Sequence, residues 1–260
     1  RFVSILSLCA AISIIKNNMW TIFKKEFSNF YLGFTAYMAA ATFVIVSALF
    51  LWFFDNEFNV FNTGNASLNS FFFVGPWIFL FMIPALTMKL IAEEQANGTL
   101  LWLFTLPIKI NQIIWGKYLA ILSIVIFCLV ATFLFTITLQ EFLLPEQELD
   151  YGTIASGYLG LFFLGSLFSA IGLFTSSLTK NQVMAYVLAV FFCFIIFYGF
   201  ESLASYNLLG SLDFYVQKIG SFTHYNQFLK GIIDSRDLLY FVLLIGILNQ
   251  LSIVKQENKK

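Results

Sequence analysis

Charged residues interrupt this chain so rarely that they outline its architecture. Six stretches long enough, or nearly so, to cross a bilayer contain no Asp, Glu, Lys or Arg: 27–54, 58–88, 118–140, 151–179, 181–200 and 238–254, with lengths 28, 31, 23, 29, 20 and 17. A helix crossing ~30 Å of hydrocarbon needs roughly 20 mostly apolar residues, with about 17 as the lower limit. A single charge at a helix centre costs about 2.5–3.5 kcal/mol on insertion, so runs this long mark membrane spans. The pattern predicts an all-α membrane protein with six transmembrane helices, near 34–54, 71–91, 118–139, 153–178, 183–203 and 238–254.

Finer periodicity adds detail. Residues 19–31, MWTIFKKEFSNFY, place Trp20, Phe23, Phe27 and Phe30/Tyr31 at helical spacing with Lys24, Lys25 and Ser28 between them. That spacing predicts an N-terminal amphipathic helix lying in the membrane interface. Ahead of it, 1–18 hold an apolar stretch that gives way to Lys16-Asn17-Asn18. This segment is expected to be upstream read-through or an extra segment, with Met19 the natural start and 19–260 the membrane domain. Pro76 and Pro84 fall inside the second span, where proline kinks a helix and frees a carbonyl that a neighbour must satisfy. In the fourth span Ser156, Gly160, Gly165, Ser169, Gly172 and Ser176 form pairs four apart. This small-xxx-small face permits close helix contact, within the subunit or against another. The segment 204–236 is too long for a plain hairpin, leaving room for short surface or re-entrant helices.

Bulk composition agrees: 60% hydrophobic, 11% charged, mean hydropathy +0.85, where soluble domains carry about 25% charged residues. Zero net charge conceals an asymmetry. With the chain threaded six times, ten lysines but only Glu26, Glu93, Glu94 and Glu257 fall on one side; ten carboxylates and only Lys218, Lys230 and Arg236 fall on the other. Basic residues near span ends favour the cytoplasmic side. Both termini are therefore expected in the cytoplasm.

The chemistry that is missing narrows the function. Gly116-Lys117 lacks the second glycine of a phosphate-binding loop and is followed by Tyr118, so no nucleotide site of that kind is present. His224 is the single histidine and reads as a surface residue. No HExxH motif or cysteine cluster offers a metal site, and Cys9, Cys128 and Cys193 read as small buried hydrophobes. No carboxylate pair lines a span as a proton carrier would require; Glu201, at the end of the fifth, reads as an interface residue. The expectation is a non-enzymatic membrane protein without cofactor or metal, powered from elsewhere.

The segment 93–118, EEQANGTLLWLFTLPIKINQIIWGKY, is similar to one that type-2 ABC exporter permeases place between their second and third spans. Glu93, Glu94, Gly98, Thr99, Leu100, Thr105, Pro107, Gly116 and Lys117 match it in order. Leu101 stands where that family often has an acidic residue. Within the family, the chain most resembles the gliding-motility-associated permeases of Bacteroidetes. That resemblance rests on FLWFFDNEFNVFNTG at 50–64, PWIFLFMIPALTM at 76–88, SGYLGLFFLG at 156–165, AIGLFTSSLTKNQ at 170–182, GSLDF at 210–214 and GIIDSRDLLYF at 231–241.

The resemblance implies a permease subunit of an ATP-driven complex, coupled through the 92–117 loop to a separate cytoplasmic ATPase that binds the ATP. A second membrane component or a second copy would complete the complex, with the lipid bilayer and no nucleic acid as surroundings. Within the loop, Gly98 would turn the backbone, Thr99 would cap a short helix and Pro107 would end it. The competing expectation is a non-transporting membrane scaffold of a motility or secretion machine. A permease of a related branch, serving copper-site maturation or general export, would share the fold.

Overall fold

The computed structural model describes residues 19–59, 67–100, 108–141, 149–206 and 213–258. Only helices and their connecting turns occur among them. Hydrocarbon favours this, because a helix satisfies every backbone N–H and C=O within its own segment. Helix α1 covers 19–32. Six long apolar helices are α2 (Thr35–Phe53), α3 (Asn69–Ala96), α4 (Ile110–Glu141), α5 (Tyr151–Leu178), α6 (Gln182–Ser205) and, last in the chain, α9 (Ser235–Glu257). Two short helices, α7 (Asp213–Ile219) and α8 (Ser221–Leu229), lie in the connection between α6 and α9. The last residues of α2 (Leu49–Phe53) and a stretch of α6 (Ile195–Gly199) are wound as π-helix.

Helix boundaries differ from those that charge spacing predicts. The third span begins at Ile110 and not near 118, and the last runs 23 residues where the uncharged run has 17. At the start of each of these two helices the charge that bounds the apolar run is paired. Lys117 of α4 is enclosed by carboxylates, and Asp237 of α9 meets His224 Nδ1 at 2.6 Å. The connection between α3 and α4 accordingly shrinks from 92–117 to 97–109.

Helix α5 forms the hub, packing against α3, α4, α6, α8 and α9. Its small residues allow this. A methyl group at Gly157 would stand 2.6 Å from the Phe72 ring, one at Gly160 2.8 Å from Phe228 Cβ, and one at Gly165 2.9 Å from Val125. At Gly172 it would collide with the Thr87 side chain. Ser156 donates to the Phe228 carbonyl at 2.7 Å, and Ser169 bonds back to Gly165 O. Ser156, Gly160, Gly165, Ser169, Gly172 and Ser176 are all buried within this chain.

The first proline of α3 is compensated by a helix far along the chain. Pro76 has no N–H, so the Phe72 carbonyl one turn earlier loses its helical donor. The buried Tyr225 hydroxyl of α8 donates to that carbonyl. Glu201 of α6 accepts from Gln217 at 2.9 Å and Thr223 at 3.2 Å, holding α7 and α8 on the bundle. His224 is not a free surface residue: it is fixed between Asp237 and the Lys218 carbonyl and stacks on Tyr240 at 4.0 Å. At the opposite end Gln95 of α3 and Gln256 of α9 both donate to Ser177 O of α5. The bundle thus has a lysine-rich end and a carboxylate-rich end.

Candidate functional site

The lysine-rich end converges on one ammonium group. Lys117 lies two turns into α4 with its side chain 1% exposed. A lysine ammonium has three donors. Its contacts are Glu26 Oε1 at 2.9 Å, Glu94 Oε1 at 2.8 Å and the Leu90 carbonyl at 2.8 Å. Glu26 comes from α1, Glu94 and Leu90 from the last turns of α3. Lys25 balances the charge from the solvent side, 3.5 Å from Glu26 and 3.6 Å from Glu94, with 54% of its side chain exposed. Two carboxylates and two ammonium groups thereby clamp three helices together.

The electrostatics follow from this enclosure. Burial by itself raises the Glu26 pKa, but the attraction of Lys117, reinforced by Lys25, outweighs it and holds the carboxyl below its ordinary range. Removing one member of such a buried pair typically costs about 3–5 kcal/mol, because the partner charge is left desolvated. Gly116 sets the distance for the clamp. A Cβ there would lie 2.9 Å from Ile22 Cγ2 and 3.1 Å from the Met19 carbonyl, so glycine lets α1 settle on α4. Ile22 and Glu26, one turn apart, form the buried face of α1. Beside it Trp20, Phe23, Phe27 and Tyr31 make a ladder of rings spaced 4.7, 5.6 and 4.1 Å.

Beyond the clamp the chain turns sharply. Asn97 closes α3, and Gly98 follows at φ 71°, in left-handed space where a side chain is strained. Helices commonly stop this way. The Thr99 hydroxyl bonds back to the Glu94 carbonyl at 3.4 Å, tying the turn to the end of α3; the backbone groups it would cap lie outside the described residues. Backbone at Thr99 and Leu100 is helical again, with Leu100 buried. Thr105 and Pro107 lie outside the described residues. Glu93 is half-buried and lines a cleft shared with Lys89 and Asn97.

The fold therefore gathers Glu94, Gly116 and Lys117 into one constellation, with Glu93, Gly98, Thr99 and Leu100 at its exit. The small-residue face of α5 stands apart from it and touches the same region only through Ser176, whose hydroxyl accepts from Ile91 N and Ala92 N. Sequence reasoning missed the part played by Glu26 and Lys25. The available signal was Lys117 itself: a lone cation opening a long apolar helix needs acidic company, and Glu26 is the one acid of the N-terminal helix.

A comparison with curated proteins finds no match. A family model described as "ABC-2 family transporter protein" matches residues 3–234, most of the chain. With six helices long and apolar enough to cross a membrane, the chain belongs to the ABC-2 transporter family, as a membrane subunit.

Proposed function

We propose that this subunit is driven by a separate cytoplasmic ATPase through the 97–109 connection, and that the Lys117 clamp passes the movement into the membrane. The observation that carries the reading is the clamp's position. It ties both helices flanking the connection, α3 and α4, to α1, so a push on the connection reaches three elements together. Glu93 and the Gly98 turn lie where a partner would bear on it. In this reading both termini and the lysine-rich end face the cytoplasm of a bacterial cell, and a second membrane component or second copy completes the complex. The segments shared with gliding-motility permeases support a role in that machinery.

The test is purification of the tagged protein from native membranes, followed by ATPase assay of what accompanies it. An ABC ATPase should co-purify, and Glu93→Gln or Gly98→Ala should lower its rate without releasing it. A bound ATPase whose rate ignores both substitutions would favour the scaffold reading. Deletion of the gene should abolish surface gliding; unaltered gliding would refute the cellular role.

A further inference from the structure

An open apolar groove of about 710 Å³ runs between α2 and α3, walled by Met38, Thr42, Phe50, Phe73, Trp77 and Phe81 among others. At the lysine-rich end it meets a second cleft of about 520 Å³, and Thr35, Ala85 and Leu86 border both. The second cleft carries charge of both signs, on Lys25, Lys89, Glu26, Glu93 and Glu94. From Phe73 to Leu86 the groove follows about 20 Å of helix. That is somewhat more than one leaflet's share of the ~30 Å hydrocarbon core, a length suited to one acyl chain.

Two charged groups in the second cleft remain unanswered by the protein. Lys117 takes Glu94 Oε1, but Glu94 Oε2 is buried and has no hydrogen-bond partner among the described residues. A buried acceptor left bare costs about 1–3 kcal/mol, more when charged, so the site calls for an N–H donor. Lys89 is exposed and makes no ion pair among the described residues. Its ammonium calls for an anion. A purely anionic headgroup would leave Oε2 bare and face Glu93; a simple cation would leave Lys89 without a partner. A headgroup bearing a phosphate and a primary ammonium answers both, and the adjoining groove receives its tail.

We propose that the groove and cleft form one binding site for an aminophospholipid. The ammonium donates to Glu94 Oε2, the phosphate sits at Lys89 with Lys25 beside it, and one acyl chain lies between α2 and α3. A quaternary ammonium has no N–H to donate, so a choline headgroup binds less well. The inference is independent of any ATPase partner.

The full chain in detergent, titrated with phosphatidylethanolamine, phosphatidylcholine or phosphatidylglycerol of the same acyl composition and read by native mass spectrometry, tests this. Phosphatidylethanolamine should bind on the order of tenfold more tightly than the other two. Lys89→Ala should weaken binding of all three, since each carries the phosphate, and leave the order of preference in place; Ala85→Phe, which fills the junction, should remove binding of all three. Both positions are exposed, so the fold should tolerate the changes. Equal binding of the three lipids, binding that either substitution leaves undiminished, or a dimer that excludes lipid from the groove would each overturn the proposal.

Discussion

Replacing Lys117 by methionine keeps most of the side chain's volume and removes its charge. Glu26 and Glu94 would then share a desolvated pocket with only the half-exposed Lys25 to balance them, and the Leu90 carbonyl would lose its lysine donor. Breaking a buried pair from one side costs about 3–5 kcal/mol. For a chain of this size, 1 kcal/mol moves the melting temperature by roughly 2–4 °C, so the fall should be on the order of 10 °C. Cys128 and Cys193 are fully buried and provide the assay: in a Cys9→Ser background, a thiol-reactive fluorophore reports unfolding as they become accessible. The variant Lys117→Met/Glu26→Gln/Glu94→Gln should recover part of the loss, since no buried carboxylate is then left without its cation. A Lys117→Met protein melting within about 2 °C of the parent would refute the claim that the clamp holds these helices.

Other consequences are open to similar tests. Because the folded-state pKa of Glu26 is depressed from 4.5, its contribution is present above that value and lost as pH falls through the lower, folded one. The melting temperature should therefore drop more steeply below pH 4.5 in the parent than in Glu26→Gln. Gly98→Ala should cost about 1 kcal/mol through backbone strain, since a Cβ there meets nothing among the described residues; a thermal melt checks it. Gly172→Ala should destabilise by about 1–3 kcal/mol through overpacking, and Thr87→Ala in the same molecule should relieve part of that. Tyr225→Phe should cost about 1–3 kcal/mol by leaving the Phe72 carbonyl buried without a donor, with faster hydrogen exchange in 225–229.

Much of the fold is legible because a bilayer tolerates so few charges. Each uncharged run does contain a helix, and the departures lie at the ends. A charge terminates a hydropathy run but need not terminate a helix, and at two of these ends the charge is paired. Lys117 continues α4 because Glu26 and Glu94 accept hydrogen bonds from its ammonium, and Asp237 sits inside α9 with His224 opposite. The site was half visible for the same reason. Glu94 and Lys117 stand out at the edges of apolar runs, whereas Glu26 is 91 residues from its partner and looks like any polar residue on an amphipathic helix. The destination of Tyr225, across 153 residues, has no local signature either.

Helix α3 is fastened twice. Near one extremity Tyr225 grips the carbonyl that Pro76 releases, and near the other Lys117 grips Glu94 and Leu90. A beam anchored at both ends flexes at its weakest intermediate point, and Pro84, lacking its own N–H, lies between the two anchors. Force arriving at the lysine anchor should consequently bow the helix about Pro84, displacing Phe81 and Ala85 while leaving the tyrosine anchor undisturbed.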